Sequence, residues 1–196
     1  MKLVLASGNK HKANEIRAQI PAGFELISQT TLGIESPEET GSTFVENAII
    51  KAKHASLVSG FPAIADDSGL CVPSLLGKPG LHSARYAGPT ATDTENLEKL
   101  MSSLKGISDR RAFFHCVLVY MESADDPAPI ITEGRWNGEI SHSPSIESGF
   151  GYDPIFYAAE VGKTAAEITN SEKNTFSHRG QALRDLFGIL SAKYAT

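Results

Sequence analysis

Residues Phe61 to Leu70, FPAIADDSGL, limit the fold more than any other stretch. Ala63, Ile64 and Ala65 form a short apolar run, and Asp66 and Asp67 follow side by side. Ser68 and Gly69 read as a turn, after which Leu70, Cys71 and Val72 resume the apolar run. A short apolar run bounded by turn residues is a buried strand. Such a strand delivers its acids to the rim of a sheet, where ligands of α/β proteins usually sit. The simpler alternative is an Asx turn ahead of Gly69. Two adjacent acids facing one cleft repel each other, and a divalent cation beside them eases their ionisation.

The chain has 196 residues, enough for one domain or two joined lobes. Its net charge of −5 argues against broad nucleic-acid or membrane-surface binding, which needs a basic face. A small anion held by a few local cations remains compatible with it. Cys71 and Cys116 are the only cysteines, and both lie in apolar runs. They read as buried free thiols in a reducing cytoplasm, with no disulfide framework. The apolar run after Lys2 is too short for a signal peptide or a membrane span.

Leu3 to Ala6 reads as a first strand, Ser7-Gly8-Asn9 as a polar loop, and Lys10 to Ile20 as a helix. A helix N-terminus offers free N–H groups to phosphate, and Lys10 and Lys12 add positive charge. A plain N-cap by Ser7 or Asn9 with solvated lysines explains the same residues. Phe24 to Ser28 reads as a second strand, followed by an acidic loop with Glu35, Glu38 and Glu39. Thr43 to Ser59 is the best-signalled helix, with a Thr43–Glu46 capping box and a terminal Gly60. Lys51 falls on its apolar face beside Phe44 and Ala48, a costly place unless the chain snorkels or the charge meets an anion such as phosphate. On the helix face alone, methionine at position 51 is predicted to leave the fold intact or slightly more stable.

Asp93 to Ser103 reads as a helix capped by Thr92 or Asp93. Arg111 to Met121 and Ile130 to Ser141 read as a hairpin whose exposed part serves a second lobe or a dimer contact. Ser148 to Phe156, SGFGYDPIF, puts Phe150 between Gly149 and Gly151, a setting in which an aromatic stacks on a base and Asp153 accepts from base N–H groups. An aromatic closing a core edge is the alternative. Lys163 to Thr169 reads as a short helix, and Ser177 as the cap of a final helix holding Leu183, Leu186, Phe187 and Leu190.

The stretches SGNKHK, EETGSTFVENAIIKA, FPAIADDSGL, GLHSARYAG, GFGYDPIF and SHRGQAL stand in the order and spacing of one family. From Lys2 to about Leu190 the chain resembles the inosine triphosphate pyrophosphatases, also called non-canonical purine nucleoside triphosphate pyrophosphatases. The resemblance implies hydrolysis of ITP, dITP and XTP to the monophosphate and pyrophosphate with Mg²⁺. It implies a homodimer of mixed α/β subunits, with two lobes around a long twisted mixed sheet and the active cleft between the lobes.

The family's phosphate grip falls on Ser7, Gly8, Asn9, Lys10, His11 and Lys12, and on Lys51. Its metal-binding acids fall on Glu38 and Glu39 and on Asp66 and Asp67, with Glu39 preferred and Asp67 as the catalytic carboxylate. Ser68 matches a substrate contact. Phe150, Gly151, Tyr152 and Asp153 match a base pocket that Lys173, His178 and Arg179 close. A pyrophosphatase of pyrimidine or modified nucleotides is one alternative. A nucleotide-binding regulator without turnover is another, although a pure binder has no need of the acid cluster.

Overall fold

A computed structural model describes residues 1–146 and 150–194. Its elements are β1 (Lys2–Ala6), α1 (Lys10–Arg17), β2 (Glu25–Ser28), α2 (Phe44–Ser59), β3 (Ala63–Cys71), α3 (Asp93–Ser103), β4 (Arg111–Met121), β5 (Ile130–Ile140), β6 (Phe156–Ala158), β7 (Lys163–Thr164), α4 (Asn170–Phe176) and α5 (His178–Lys193). The strands form one mixed sheet in the order β2-β1-β3-β4-β5-β6-β7. β1 pairs in parallel with both β2 and β3, and α1 and α2 supply the crossovers. β6 pairs antiparallel with β5 and with β7.

The chain divides into two compact units. The first holds residues 1–67, 116–134 and 179–196; the second holds 68–115 and 135–178. In the first unit, alternate strand residues face opposite ways. Leu3, Leu5, Ile64, Cys116 and Leu118 pack with Ala13 and Ile16 of α1 and with Leu183, Leu186, Phe187 and Leu190 of α5. Val4, Ala6, Ala63, Ala65, Val117 and Val119 pack with Ala48, Ala52 and Ala55 of α2. Both strand faces are covered, so these strands read as continuous apolar runs. The second unit has its own core, built on Leu70, Leu100, Phe114, Trp136, Ile140 and Phe156.

Local signals place most ends. Thr43 and Glu46 close a reciprocal capping box on α2, and Gly60 ends that helix in the left-handed conformation. Thr92, not Asp93, caps α3. Two expectations fail. Ser68 and Gly69 do not turn the chain, because β3 continues through them to Cys71. Lys163 to Thr169 is not a helix: Lys163 and Thr164 pair with β6, and a capping box between Thr169 and Glu172 starts α4 at Asn170. Both cysteines are free and buried.

Candidate active site

The pleat of β3 decides what its two acids do. Successive side chains on a strand point to opposite faces. Asp66 shares the face of Ile64, toward α1 and α5, and Asp67 shares the face of Ala63 and Ala65, toward α2. The acids therefore do not face one cleft together.

Asp66 is the hub of a buried ionic cluster. Its Oδ1 accepts from Lys12 Nζ. Its Oδ2 accepts from Arg179 Nε at 2.9 Å and from Cys116 Sγ at 3.1 Å. The Arg179 guanidinium also pairs with Glu15. Burial opposes charge on Asp66, yet Arg179 and Lys12 hold its carboxyl well below the usual range. Burial and the neighbouring Asp66 charge push the Cys116 thiol well above its ordinary value. Glu15 was not singled out in the sequence, and Cys116 was read only as a buried free thiol. Glu15 is detectable in retrospect as the residue three beyond Lys12 on one helix face.

Asp67 has a different environment. Its Oδ1 accepts from Lys51 Nζ at 2.8 Å, and the same ammonium reaches Glu39 Oε1 at 3.0 Å. The second oxygen, Oδ2, is buried and accepts no hydrogen bond among the described residues. Burial raises the Asp67 carboxyl above its ordinary value, against the pull of Lys51. Burial likewise works against charge on Lys51, but Asp67 and Glu39 raise it overall. The partners found for Lys51 are carboxylates, and they reverse the expectation for methionine at this position. Lys51→Met is expected to destabilise the protein by about 3 kcal/mol at pH 7, since it leaves a buried carboxylate unpaired. Without Lys51 the Asp67 carboxyl titrates still higher, so this loss is present above that raised pKa and shrinks as pH falls through it. Urea midpoints at pH 7 and pH 5 check the sign.

Asn9 caps α1, its side-chain oxygen accepting from the N–H groups of His11 and Lys12. Ser7 Oγ accepts from Asn9 N at 3.2 Å. Gly8, Lys10 and His11 are exposed, Lys12 is half-buried, and Glu38 is exposed beside a half-buried Glu39.

The second unit holds the remaining residues. Lys173 pairs with Asp153. Gly151 N donates to Asp93 Oδ2 at 2.8 Å, and Tyr152 Oη to the Ser83 carbonyl at 2.8 Å. The His178 ring stacks on Phe114 with centroids 4.9 Å apart. Phe150 and Ser68 are half-buried. Ser148 and Gly149 lie outside the described residues. Arg179, at the start of α5, pairs with Asp66 and Glu15 within the first unit. Asp93 and Phe114 were read only as helix and strand residues.

Glu39 and Asp67 suit a magnesium ion. This hard cation takes oxygen ligands and is commonly held by one or two carboxylates, keeping several waters and substrate phosphates. The unclaimed Oδ2 of Asp67 is such a donor. No group of three or more His, Cys, Asp or Glu forms a cage among the described residues. Asp66 does not suit the ion, since three donors already occupy its oxygens.

Residues 3–189 match the model of the Ham1 family. The chain belongs to that family. The dITP/XTP pyrophosphatase of Pectobacterium atrosepticum is 55% identical, with 96% of this chain and 98% of the relative covered. That of Yersinia pestis is 56% identical over the same shares. The structure of a HAM1 protein from Coxiella burnetii matches with a TM-score of 0.92 at 49% identity, covering 98% of this chain and 99% of that one. The Staphylococcus aureus Ham1 protein matches at 0.88 and 40% identity, covering 98% and 100%.

Proposed function

We propose that this chain hydrolyses non-canonical purine nucleoside triphosphates, among them ITP, dITP and XTP, to the nucleoside monophosphate and pyrophosphate. One arrangement carries the mechanism: a single buried ammonium, Lys51, bridges Glu39 and Asp67 and leaves one Asp67 oxygen unclaimed. Relatives named dITP/XTP pyrophosphatase support the substrate class.

The Asp67 carboxylate orients a water aimed at the α-phosphorus and takes its proton. A carboxyl raised by burial is the stronger base. The water oxygen forms a bond to the α-phosphorus, and the bond from that phosphorus to the bridging oxygen of the pyrophosphate breaks. Lys12 and Lys51 stabilise the charge that collects on the departing pyrophosphate. Asp66 keeps the Lys12 ammonium in place while its remaining N–H groups turn to phosphate. Glu39 and Asp67 would hold magnesium, whose chemistry there would be to neutralise phosphate charge.

Base selection falls to Asp153 as acceptor and to His178 or Arg179 as donor. A 6-oxo purine offers an acceptor at position six and an N–H beside it, and adenine reverses both. A buried partner left unmatched rejects the wrong base by large factors. The proposal extends to a homodimer in the cytoplasm, where two free buried thiols are at home. Among the described residues no helix is long and apolar enough to cross a membrane.

Initial velocities with ITP, dITP, XTP, ATP and GTP, with and without Mg²⁺, test the substrate class. Turnover of the first three with Mg²⁺, and little of ATP or GTP, is expected. Equal turnover of ATP contradicts it. Phe150→Ala adds a second check. Base–aromatic stacking is worth about 1–3 kcal/mol and is blind to base identity, so kcat/KM for ITP and XTP should fall alike by about ten- to a hundredfold. The ITP/ATP ratio should survive; its collapse with little change for ITP would assign Phe150 to the selective edge.

A further inference from the structure

Glu39 lies in a segment without regular structure, residues 34–41. Something must fix its carboxylate, since an acid on a loose loop is a poor ligand. The first unit offers a device for this on α2. Asn47, Lys51 and His54 stand at spacings of four and three, which puts them on one helix stripe. Each holds one point of the loop. Asn47 Oδ1 accepts from Gly41 N at 2.8 Å, Lys51 Nζ donates to Glu39 at 3.0 Å, and the Glu35 carbonyl accepts from His54 Nε2 at 3.0 Å. Ascending the helix from 47 to 54 descends the loop from 41 to 35, so the segment is zipped antiparallel along α2. Asn47 is almost fully buried, at 2% exposure, which makes its contact with Gly41 hard to replace with water.

Gly41 fits this contact through its lack of a side chain. A Cβ there would stand 2.6 Å from Asn47 Oδ1 and 2.7 Å from Glu46 Cβ, closer than atoms approach. Any larger residue must lift the loop from the helix. The two outer fastenings, Asn47–Gly41 and His54–Glu35, bracket Glu39.

We propose that Asn47 and His54 are positioning residues: they clamp the 35–41 loop along α2 so that the Glu39 carboxylate is held beside Asp67 for the metal ion. This rests on the assignment of Glu39 and Asp67 as metal ligands. Partners that orient a metal ligand typically change affinity by about ten- to a hundredfold when removed.

The test is direct binding of Mn²⁺, used as the probe for the divalent site, by titration calorimetry on the protein without nucleotide. The Mg²⁺ concentration for half-maximal velocity with ITP is measured beside it. Glu39→Gln, Asn47→Leu, Asn47→Asp, Gly41→Ala and His54→Ala are compared with the parent, with Tm recorded for each. His54 is half-buried, so its variant does not endanger the core. Asn47→Leu, Gly41→Ala and His54→Ala are expected to weaken Mn²⁺ binding about tenfold and to raise the Mg²⁺ requirement in step, with kcat at saturating Mg²⁺ within about twofold. Asn47→Asp, which keeps the acceptor for Gly41 N, is expected to bind Mn²⁺ like the parent. Unchanged Mn²⁺ binding in His54→Ala and Gly41→Ala, with Glu39→Gln impaired, overturns the clamp and leaves the ligand assignment standing. Unchanged binding in Glu39→Gln overturns the ligand assignment itself.

Discussion

Asp67→Asn is expected to lower kcat for ITP by about 10³–10⁴-fold while the protein stays folded and still binds the nucleotide. Asparagine keeps the shape of the side chain and still accepts from Lys51. It loses the charge and basicity proposed to take the proton from water, a role worth about 10²–10⁴ in rate, and it also loses the proposed metal donor. Stability should change by less than about 1 kcal/mol. Burial already disfavours charge on Asp67, so the neutral amide is not penalised by its setting, and Lys51 retains Glu39. Single-turnover kinetics and nucleotide titration separate chemistry from binding. Activity within tenfold of the parent would remove Asp67 from the chemistry.

Asp66→Asn, one residue away, should do the opposite in kind. It leaves Arg179, 4% exposed, and the half-buried Lys12 without the carboxylate between them. Breaking a buried ion pair by removing one partner costs about 3–5 kcal/mol. That is a large share of the ~5–15 kcal/mol that holds a typical domain folded. Because the folded pKa of Asp66 is depressed, its contribution is present above the unfolded carboxylate pKa and is lost as pH falls through the lower, folded value. The difference between parent and variant should therefore be full at pH 7 and shrink in strong acid. Urea unfolding measures it. Glu15→Gln should cost less, since the Glu15 side chain is 24% exposed and screened by solvent. Equal stability of parent and Asp66→Asn at pH 7 would show that the cluster does not hold the fold.

These opposite outcomes come from the period of a strand, and that period was partly legible in the chain. The apolar run Ala63–Ala65 announced β3, and the two acids marked that strand as a candidate site. Reading Ser68-Gly69 as a turn hid the alternation. Once β3 is known to run to Cys71, the assignment of Asp66 to one face and Asp67 to the other follows from counting by two. Caps were the clearest local signal: Thr43–Glu46 and Gly60 bounded α2 because their side chains or backbone satisfy groups at the helix ends. Lys163–Thr169 was misread because two residues of strand pairing and a capping box at Thr169 lie within one short polar stretch.

The partners of the acids were less legible. Cys116 and Arg179 meet Asp66 from residues 50 and 113 positions away, and no local pattern encodes such contacts. Lys51 could be marked as misplaced on an apolar face, but whether its anion was a phosphate or a carboxylate depended on where the 34–41 loop lay. The helix carried that information too, in the spacing of Asn47, Lys51 and His54, though only the folded loop reveals what the stripe grips.

The most direct measurement is the identity of the products. Phosphorus NMR of ITP incubated with the protein and Mg²⁺ should show IMP and pyrophosphate in equal amounts from the first turnovers, with no inorganic phosphate and no IDP. Release of inorganic phosphate with IDP would place the attack at the γ-phosphorus and contradict the proposed chemistry.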